Sequence, residues 1–359
     1  MSQSAEQRLA QLRIEIDALD ATIVEHLNRR AQLAIAVGEV KSETGAPVYR
    51  PEREMQVLAK LGPQSGALSA SALQAIYREI MSACRELERR LRVAFLGPAG
   101  TFSEEALLKH FGSSVAAIAC SNFDEVFRAT EAGSCDFAVL PIENSSEGAV
   151  NRTMDLLLQT DLIISGELSL AIAHNLLTQS GSMAGISRIC AHPQALAQCQ
   201  AWLDRNAPGI ERVPVASNAE GARLASLEAQ TAAIAGERAA QRYGLAFAGR
   251  SIQDDANNRT RFIVIGRYAC SASGTDQTSL ILSVPDRAGA VHALIEPLAR
   301  HGVSMKRFES RPARQGNWEY YFYIDVLGHQ SDAPVAAALA EIKANASYFR
   351  IAGSYPRAI

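Results

Sequence analysis

Arg30 and Lys41 stand 11 positions apart in a stretch that contains no proline. At about 100° per residue, that spacing sets the two cations within about 20° of each other on one helix face. Arg13 precedes Arg30 by 17 positions, which turns it about 100° away. It would reach the same site more readily from the helix of a partner subunit. Arg53 and Glu54 open a second helix and can face the first. Taken alone, such residues are ordinary solvated charges on long helices. Further along, Gly97-Pro98-Ala99-Gly100-Thr101-Phe102-Ser103 follows an apolar run and opens a helix, where backbone N–H groups can cradle an anion. It lacks the Gly-Lys-Ser/Thr of a phosphate loop and the G-x-G-x-x-G of a dinucleotide turn, which argues against ATP and NAD. Residues 136–148 run from an apolar strand into a polar loop, and loops at the carboxyl ends of strands are where open sheets bind ligands. Residues 254–262 form a polar loop that enters another strand. His192-Pro193-Gln194 and Ala216-Ser217-Asn218 start helices. Each of these, taken singly, is also explained by loop structure or helix capping.

The elements that must position these residues fall into three regions. Apolar residues recur at Leu9, Leu12, Ile16, Leu19, Ile23 and Leu27, the period of one helix face. A helix over residues 4–41, with Ser4 and Gln7 as a capping box, is long enough to need a partner helix. Pro51 opens a second helix through Leu61, and Ser69 or Ser71 caps a third reaching Leu91. From Arg92 the pattern changes to alternating strands and helices. Strands are expected at 93–96, 137–141, 162–164, 168–173, 188–191, 213–215, 232–235 and 261–265, which reads as an α/β fold with a largely parallel sheet. The small polar run 270–275 reads as a linker. Beyond it the order is βαββαβ, a ferredoxin-like α+β arrangement. The domains are therefore placed at 1–91, 92–270 and 276–359.

The composition limits what this chain does. Its 359 residues carry 35 Lys+Arg against 38 Asp+Glu, a net charge of −3, whereas a nucleic-acid binder driven by bulk charge needs a basic surplus. No apolar run approaches a membrane span, and the N-terminus has neither the basic start nor the apolar stretch of a secretory signal. The six cysteines form no C-x-x-C pair. They read as reduced thiols of a cytoplasmic protein, with no metal site.

Three resemblances add to this reading. Leu12-Arg13, Leu19-Asp20, Arg29-Arg30, Val37-Gly38-x-x-Lys41 and Tyr49-Arg50-Pro51-Glu52-Arg53-Glu54 resemble the all-helical chorismate mutase family over residues 8–90. The resemblance implies three helices from each of two chains, intertwined. Arg13 of the partner subunit and Arg30 would hold the two carboxylates of chorismate. Lys41 would donate to the ether oxygen, Arg53 would position the substrate and Glu54 would hold its hydroxyl. Such a rearrangement needs no nucleophile, only the reactive conformer held and cations where the ether oxygen gains charge. Two departures stand out. Arg50 replaces an acidic residue, and Glu88 replaces a Gln that donates to the ether oxygen. Only a protonated carboxyl donates, so mutase activity is expected to fall as Glu88 loses its proton.

The segments at 97–106, 136–148, 192–196, 216–220 and 254–262, with Asn258-Arg259-Thr260-Arg261-Phe262 the most specific, resemble prephenate dehydratase over 92–268. That family implies two subdomains of the periplasmic-binding-protein type with the site between them. Here the chain would cross near Ser169 and return near Ala248, giving 92–169 plus 248–270 and 170–247. Thr260 would serve the departing C4 hydroxyl as donor or acid. Thr101, Phe102, Ser103, Asn144, Ser145 and Phe262 would line the cleft. Arg261 would meet a carboxylate or stand in a structural ion pair. No cofactor is implied. Pro285-Asp286-Arg287-Ala288-Gly289-Ala290-Val291 and Glu309-Ser310-Arg311-Pro312 resemble an ACT domain of the phenylalanine-binding kind over 277–356, with Val291 where Leu is usual. Gly289, Ala290, Val291, Glu309, Ser310, Arg311 and Pro312 would bind phenylalanine at an interface between two such domains.

The whole order resembles a bifunctional chorismate mutase/prephenate dehydratase with a phenylalanine sensor, assembled as a homodimer or tetramer. Two alternatives stay open at this point. The helices could be an inactive dimerising element on a dehydratase. The chain could also be a non-enzymatic ligand-binding module that senses an amino acid.

Overall fold

The computed structural model describes residues 4–64, 66–285, 287–312 and 320–358. The chain divides into two compact units, one of Met1–Arg50, Val57–Arg90 and Phe111–Val115, the other of Pro51–Gln56, Leu91–His110 and Ala116–Ile359.

The first unit is helical. Helix α1 (Ala5–Thr44) begins at the expected capping box: Gln7 N–H donates to Ser4 Oγ, and Ser4 N–H donates to Gln7 Oε1. It ends at Gly45, whose φ of 67° is the left-handed cap that glycine adopts without strain. α1 is 40 residues long and buries none of them. Leu9, Leu12, Ile16, Leu19 and Ile23 are each more than half exposed along it. α2 (Pro51–Ala59) starts on proline, and α3 (Ala70–Glu88) is capped by Ser69, whose Oγ accepts from Ala72 N–H. α3 ends three residues before Leu91, because the chain turns there into a strand. Leu58, Leu61 and Met81 form a small core. The buried Arg85 guanidinium lies 5.0 Å from the Tyr49 ring centroid and donates to the Phe111 carbonyl.

The second unit holds three sheets. The first is built from β1 (Arg92–Leu96), α4 (Phe102–Phe111), β2 (Ala116–Cys120), α5 (Phe123–Glu131), β3 (Phe137–Asn144), β4 (Gly148–Ala149), α6 (Asn151–Gln159) and β5 (Ile163–Ala171). The chain then enters a second lobe: β6 (Asn175–Thr178), β7 (Arg188–Ala191), α7 (Pro193–Gln198), α8 (Gln200–Asn206), β8 (Glu211–Pro214), α9 (Asn218–Leu227), β9 (Thr231–Ala235), α10 (Glu237–Tyr243) and β10 (Ala246–Gly249). It returns to the first sheet as β11 (Arg259–Gly266). The strand orders are β2-β1-β3-β11-β5, with β4 on β3, and β10-β6-β9-β7-β8.

Neither sheet is largely parallel, contrary to the sequence expectation. β1, β2 and β3 are parallel, but β11 is antiparallel to both β3 and β5. The outgoing strand β5 and the returning strand β11 join the same two lobes and so must run in opposite directions. The same holds for β6 and β10, the first and last strands of the second lobe. The return also comes later than Ala248, because residues 246–249 stay bonded to β6.

The C-terminal sheet follows the expected βαββαβ order: β12 (Asp276–Ser283), α11 (Ala290–Arg300), β13 (Met305–Pro312), β14 (Tyr320–Leu327), α12 (Ala333–Asn345) and β15 (Tyr348–Pro356). It is antiparallel with strand order β13-β14-β12-β15. One face packs Leu280, Leu282 and Ile324 against Leu294, Leu298 and Leu339 of its helices. The other face is not solvated. Ile281, Tyr323, Ala352 and Tyr355 share one continuous core with Leu140, Ile164, Ile263 and Ile265 of the first sheet. The stretch 270–275 is accordingly a held turn, with Ser273 and Gly274 N–H donating to Asp276.

Candidate active sites

In the helical unit, Lys41 Nζ lies 2.9 Å from Glu88 Oε2 and 3.0 Å from the Val48 carbonyl. An ammonium has three N–H donors, so one is left for a ligand. Gly38 makes the approach of α3 possible: a Cβ there would stand 2.9 Å from Glu88 Cγ. Arg30 is half-buried on the same helix, and Arg13 is exposed. At 1.5 Å per residue, Arg13 sits about 42 Å along the axis from Lys41, so one chain does not bring the two to one ligand. Arg53 is exposed and Glu54 half-buried on the first turn of α2. That turn belongs to the second unit, where its buried Glu52 accepts from the Tyr268 hydroxyl at 2.7 Å. Arg50 is the exposed N-cap of α2.

In the second unit, a cavity of about 370 Å³ opens between the first sheet and the second lobe. Five expected residues line it: Phe102, Ser103, Asn144, Thr260 and Phe262. Thr260 and Phe262 share a face because side chains alternate along a strand, and a register shift beside them fits the bulges common at such sites. Three other expected residues do not line it. Thr101 Oγ1 donates to the Leu96 carbonyl at 3.2 Å, and Ser145 Oγ accepts from Arg259 N–H at 3.0 Å; both tie loops. Arg261 points to the opposite face of β11, where Asp325 and Glu167 take its guanidinium at 2.7 and 3.1 Å. The described lining contains no lysine or arginine. An anion here would meet the N-terminal turns of α4 and α9, through Phe102, Ser103 and Asn218, together with neutral amides and hydroxyls.

A polar chain crosses the cavity floor. Asn144 Nδ2 donates to Thr260 Oγ1 and to Asn258 Oδ1, each at 2.9 Å. Asn144 is itself fixed, its Oδ1 accepting from Ser146 and Glu147 N–H. Asn258 Nδ2 donates to Gln198 Oε1 at 3.0 Å, and the same oxygen lies 2.9 Å from His174 Nε2. An oxygen that already accepts requires a donor there, so the hydrogen-bond network assigns the proton to His174 Nε2. Burial pushes the His174 pKa down, outweighing the opposite effect of Gln198, so the ring is neutral. Its Nδ1 is a bare, buried acceptor with no hydrogen-bond partner among the described residues. The Phe102 ring meets the imidazole edge-on at 5.5 Å. Because Thr260 Oγ1 accepts from Asn144, its own proton is available to a ligand.

His174 and Gln198 were not legible in the sequence as site residues. Gln194, Ser217 and Asn218, which also line the cavity, lie in the helix starts at 192–196 and 216–220, which belong to the dehydratase resemblance, although none of the three is singled out there as a site residue. In the C-terminal domain, Ser283 and Arg311 both register against Tyr321 from opposite sides of β14. The strand leading to Gly289–Val291 and the segment 309–312 therefore reach the same end of the sheet. Gly289 has a φ of 79°, Ala290 is buried and Val291 exposed. Glu309 and Arg311 are half-buried, and Ser310 and Pro312 exposed, on the edge strand β13. Arg311 already donates to the Asn151 carbonyl and pairs with Asp155 at 2.9 Å.

Comparison with known proteins agrees with this layout. Family models described as "Chorismate mutase type II", "Prephenate dehydratase" and "ACT domain" match residues 12–89, 93–269 and 278–344. The chain is 47% identical over 363 residues to a bifunctional chorismate mutase/prephenate dehydratase of Neisseria gonorrhoeae, with 100% of both chains covered. Among solved structures, a prephenate dehydratase in complex with L-Phe from Arthrobacter aurescens is similar at 35% identity and TM-score 0.69, over 74% of this chain and 90% of that one. A structure titled as a novel type of quorum quenching acylase is similar at 29% identity and TM-score 0.68, over 74% of this chain and 98% of that one. With three successive family matches and an end-to-end relative at this identity, the chain belongs to the bifunctional chorismate mutase/prephenate dehydratase family.

Proposed function

We propose that the chain rearranges chorismate to prephenate in its helical unit, converts prephenate to phenylpyruvate in the cleft of the second unit, and is inhibited by phenylalanine through its ACT domain. The exposed apolar stripe of α1 supports a homodimer in which a second copy of α1 covers Leu9, Leu12, Ile16, Leu19 and Ile23. In that assembly Arg30 and Arg13 of the partner subunit hold the substrate carboxylates. The third N–H of Lys41 meets the ether oxygen as charge develops there. Glu88 accepts from Lys41 and orients it.

In the cleft, the leaving C4 hydroxyl needs a hydrogen bond that strengthens as negative charge develops on it. The observation that carries this reading is the Asn144–Thr260 bond, which turns the Thr260 proton outward. Loss of CO₂ and water then proceeds with aromatisation of the ring, the carboxylates resting on helix starts and neutral donors. The likeness to a quorum quenching acylase raises a second reading, acyl hydrolysis, which would need an activated nucleophile. Here Thr260 Oγ1 bonds an amide and the cleft imidazole bonds Gln198, which favours dehydration. Six buried free thiols support a cytoplasmic setting.

The test is product analysis of the purified chain supplied with chorismate alone. Phenylpyruvate is expected. Accumulated prephenate would remove the dehydratase reading, and untouched chorismate with conversion of added prephenate would reduce the helices to an assembly element.

A further inference from the structure

The two strands that carry the cleft pair carry a second pair on their other face. Across β11 and β3, Thr260 registers with Asn144, and Arg261 with Glu143. Thr260 and Asn144 meet in the cleft. Arg261 and Glu143 meet behind it, Nε lying 3.7 Å from Oε2. What lies behind is the C-terminal sheet. Arg261 Nη1 donates to Asp325 Oδ2 of β14 at 2.7 Å, and Arg307 of β13 stands 3.5 Å from Glu143 Oε2. Arg307 and Asp325 are themselves registered partners across β13 and β14. Each member of the hidden pair is therefore gripped by one member of a cross-strand pair in the ACT sheet.

Asp325 is held in place from within its own sheet. Ser279 Oγ donates to Asp325 Oδ1 at 2.6 Å. The Tyr355 hydroxyl lies 2.8 Å from Ser279 Oγ, and Gln277 Nε2 donates to that hydroxyl, also at 2.8 Å. The directions follow from the donor inventory. Asp325 accepts, so Ser279 spends its proton there; Tyr355 gives its proton to Ser279 and accepts from Gln277. All four residues are buried. Around them the core shared by Ile263, Ile265, Ile281, Tyr323 and Ala352 is continuous. Close-packed interfaces of this kind transmit a displacement rather than absorbing it.

We propose that Arg261 is a positioning residue that couples the ACT sheet to the Thr260–Asn144 pair, so that a shift of β13 and β14 reaches the reacting hydroxyl through the opposite face of its own strand. This rests on the reading of the ACT domain as the phenylalanine sensor. The candidate effector segment 309–312 lies on β13, two residues beyond Arg307. Effector occupancy therefore acts on the strand that grips Glu143 and on the neighbour that grips Arg261.

The experiment uses the full-length chain, with Asp325→Asn and Ser279→Ala. Asp325→Asn leaves Glu167 on Arg261, so no cation is stranded. Ser279→Ala alters no charge, and it carries the test if the first variant does not fold. Phenylalanine binding is measured by calorimetry, and dehydratase kcat and KM are measured with and without saturating phenylalanine. Binding is expected within about twofold of the parent, while the factor by which phenylalanine lowers kcat/KM shrinks about tenfold in Asp325→Asn and less in Ser279→Ala, on the scale of ordinary allosteric coupling. Variants inhibited by the parent's full factor would overturn the coupling while leaving the sensor intact. A parent that neither binds nor responds to phenylalanine would overturn the sensor reading, and the coupling with it.

Discussion

Asn144 Nδ2 donates to Thr260 Oγ1 across 2.9 Å, and its own Oδ1 is pinned by two backbone N–H groups. The amide therefore has one orientation, and Thr260 Oγ1, accepting from it, keeps its own proton for a ligand. Thr260→Val keeps the shape and removes that proton. Dehydratase kcat is expected to fall by about 10²–10³, the effect of losing one preorganised donor at a developing charge. Asn144→Ala should cost about tenfold to a hundredfold, because Thr260 keeps its proton but loses its orientation. KM for prephenate should move little in Thr260→Val, and mutase turnover should not change in either variant. A Thr260→Val enzyme with near-parent kcat would remove Thr260 from the chemistry.

His174 supplies a pH prediction. Burial holds its pKa below the ordinary value, so the folded ring is neutral at pH values where a free imidazole, near about 6.5, is half charged. The unfolded chain binds the extra proton first. The stability from neutral His174 is therefore full above about pH 6.5 and is lost as pH falls from there through the depressed folded value. Dehydratase kcat/KM should show no inflection near pH 6.5 and should decline only below it, together with the melting temperature. His174→Gln should flatten the decline in melting temperature. An inflection at pH 6.5 that His174→Gln abolishes would mean that the ring titrates as an exposed histidine.

Lys41 Nζ donates to Glu88 Oε2 across 2.9 Å in the mutase unit, so Glu88 orients the ammonium that meets the substrate. Glu88→Gln keeps an acceptor for Lys41 and adds an N–H donor, so mutase kcat should stay within about tenfold of the parent, whereas Glu88→Ala, which leaves Lys41 without this partner, should lower it further. Gly38→Ala tests the same contact sterically. Its methyl would stand 2.9 Å from Glu88 Cγ, so mutase kcat should fall while dehydratase kcat holds. A Glu88→Ala mutase with near-parent kcat would show that Glu88 plays no part.

Much of this arrangement was legible where one element carries the signal by itself. The capping box at Ser4, the helical spacing of Arg30 and Lys41, and the βαββαβ order all depend on local spacing. Strand direction was not legible, since an apolar run such as 262–265 reads the same in a parallel or an antiparallel sheet. Thr260 and Arg261 are neighbours in the motif, yet the period of two along β11 sends them to different faces and different tasks. His174 and Gln198 stand 24 positions apart, one in the connection between lobes and one at the end of a short helix. Only the packing of the second lobe, in which Leu176 and Cys199 share one core, makes them neighbours, and no window of the sequence contains that fact.

The last prediction concerns Arg13, which lies about 42 Å along α1 from Lys41 and can serve a mutase site only by crossing between subunits. Leu19→Glu with Ile23→Glu places charges on the exposed apolar stripe. The double variant should sediment as a smaller species and lose mutase activity, while retaining dehydratase turnover. Complementation makes the sharper test. Arg13→Ala and Lys41→Ala homodimers should each be nearly inactive as mutases. When the two chains are mixed and allowed to exchange, half of the dimers are mixed. In each of those, one site lacks both residues and the other lacks neither. About a quarter of parent mutase activity should therefore return, by counting sites. Activity that stays at the level of the separate variants after demonstrated exchange would show that Arg13 of one subunit does not complete the Lys41 site of the other.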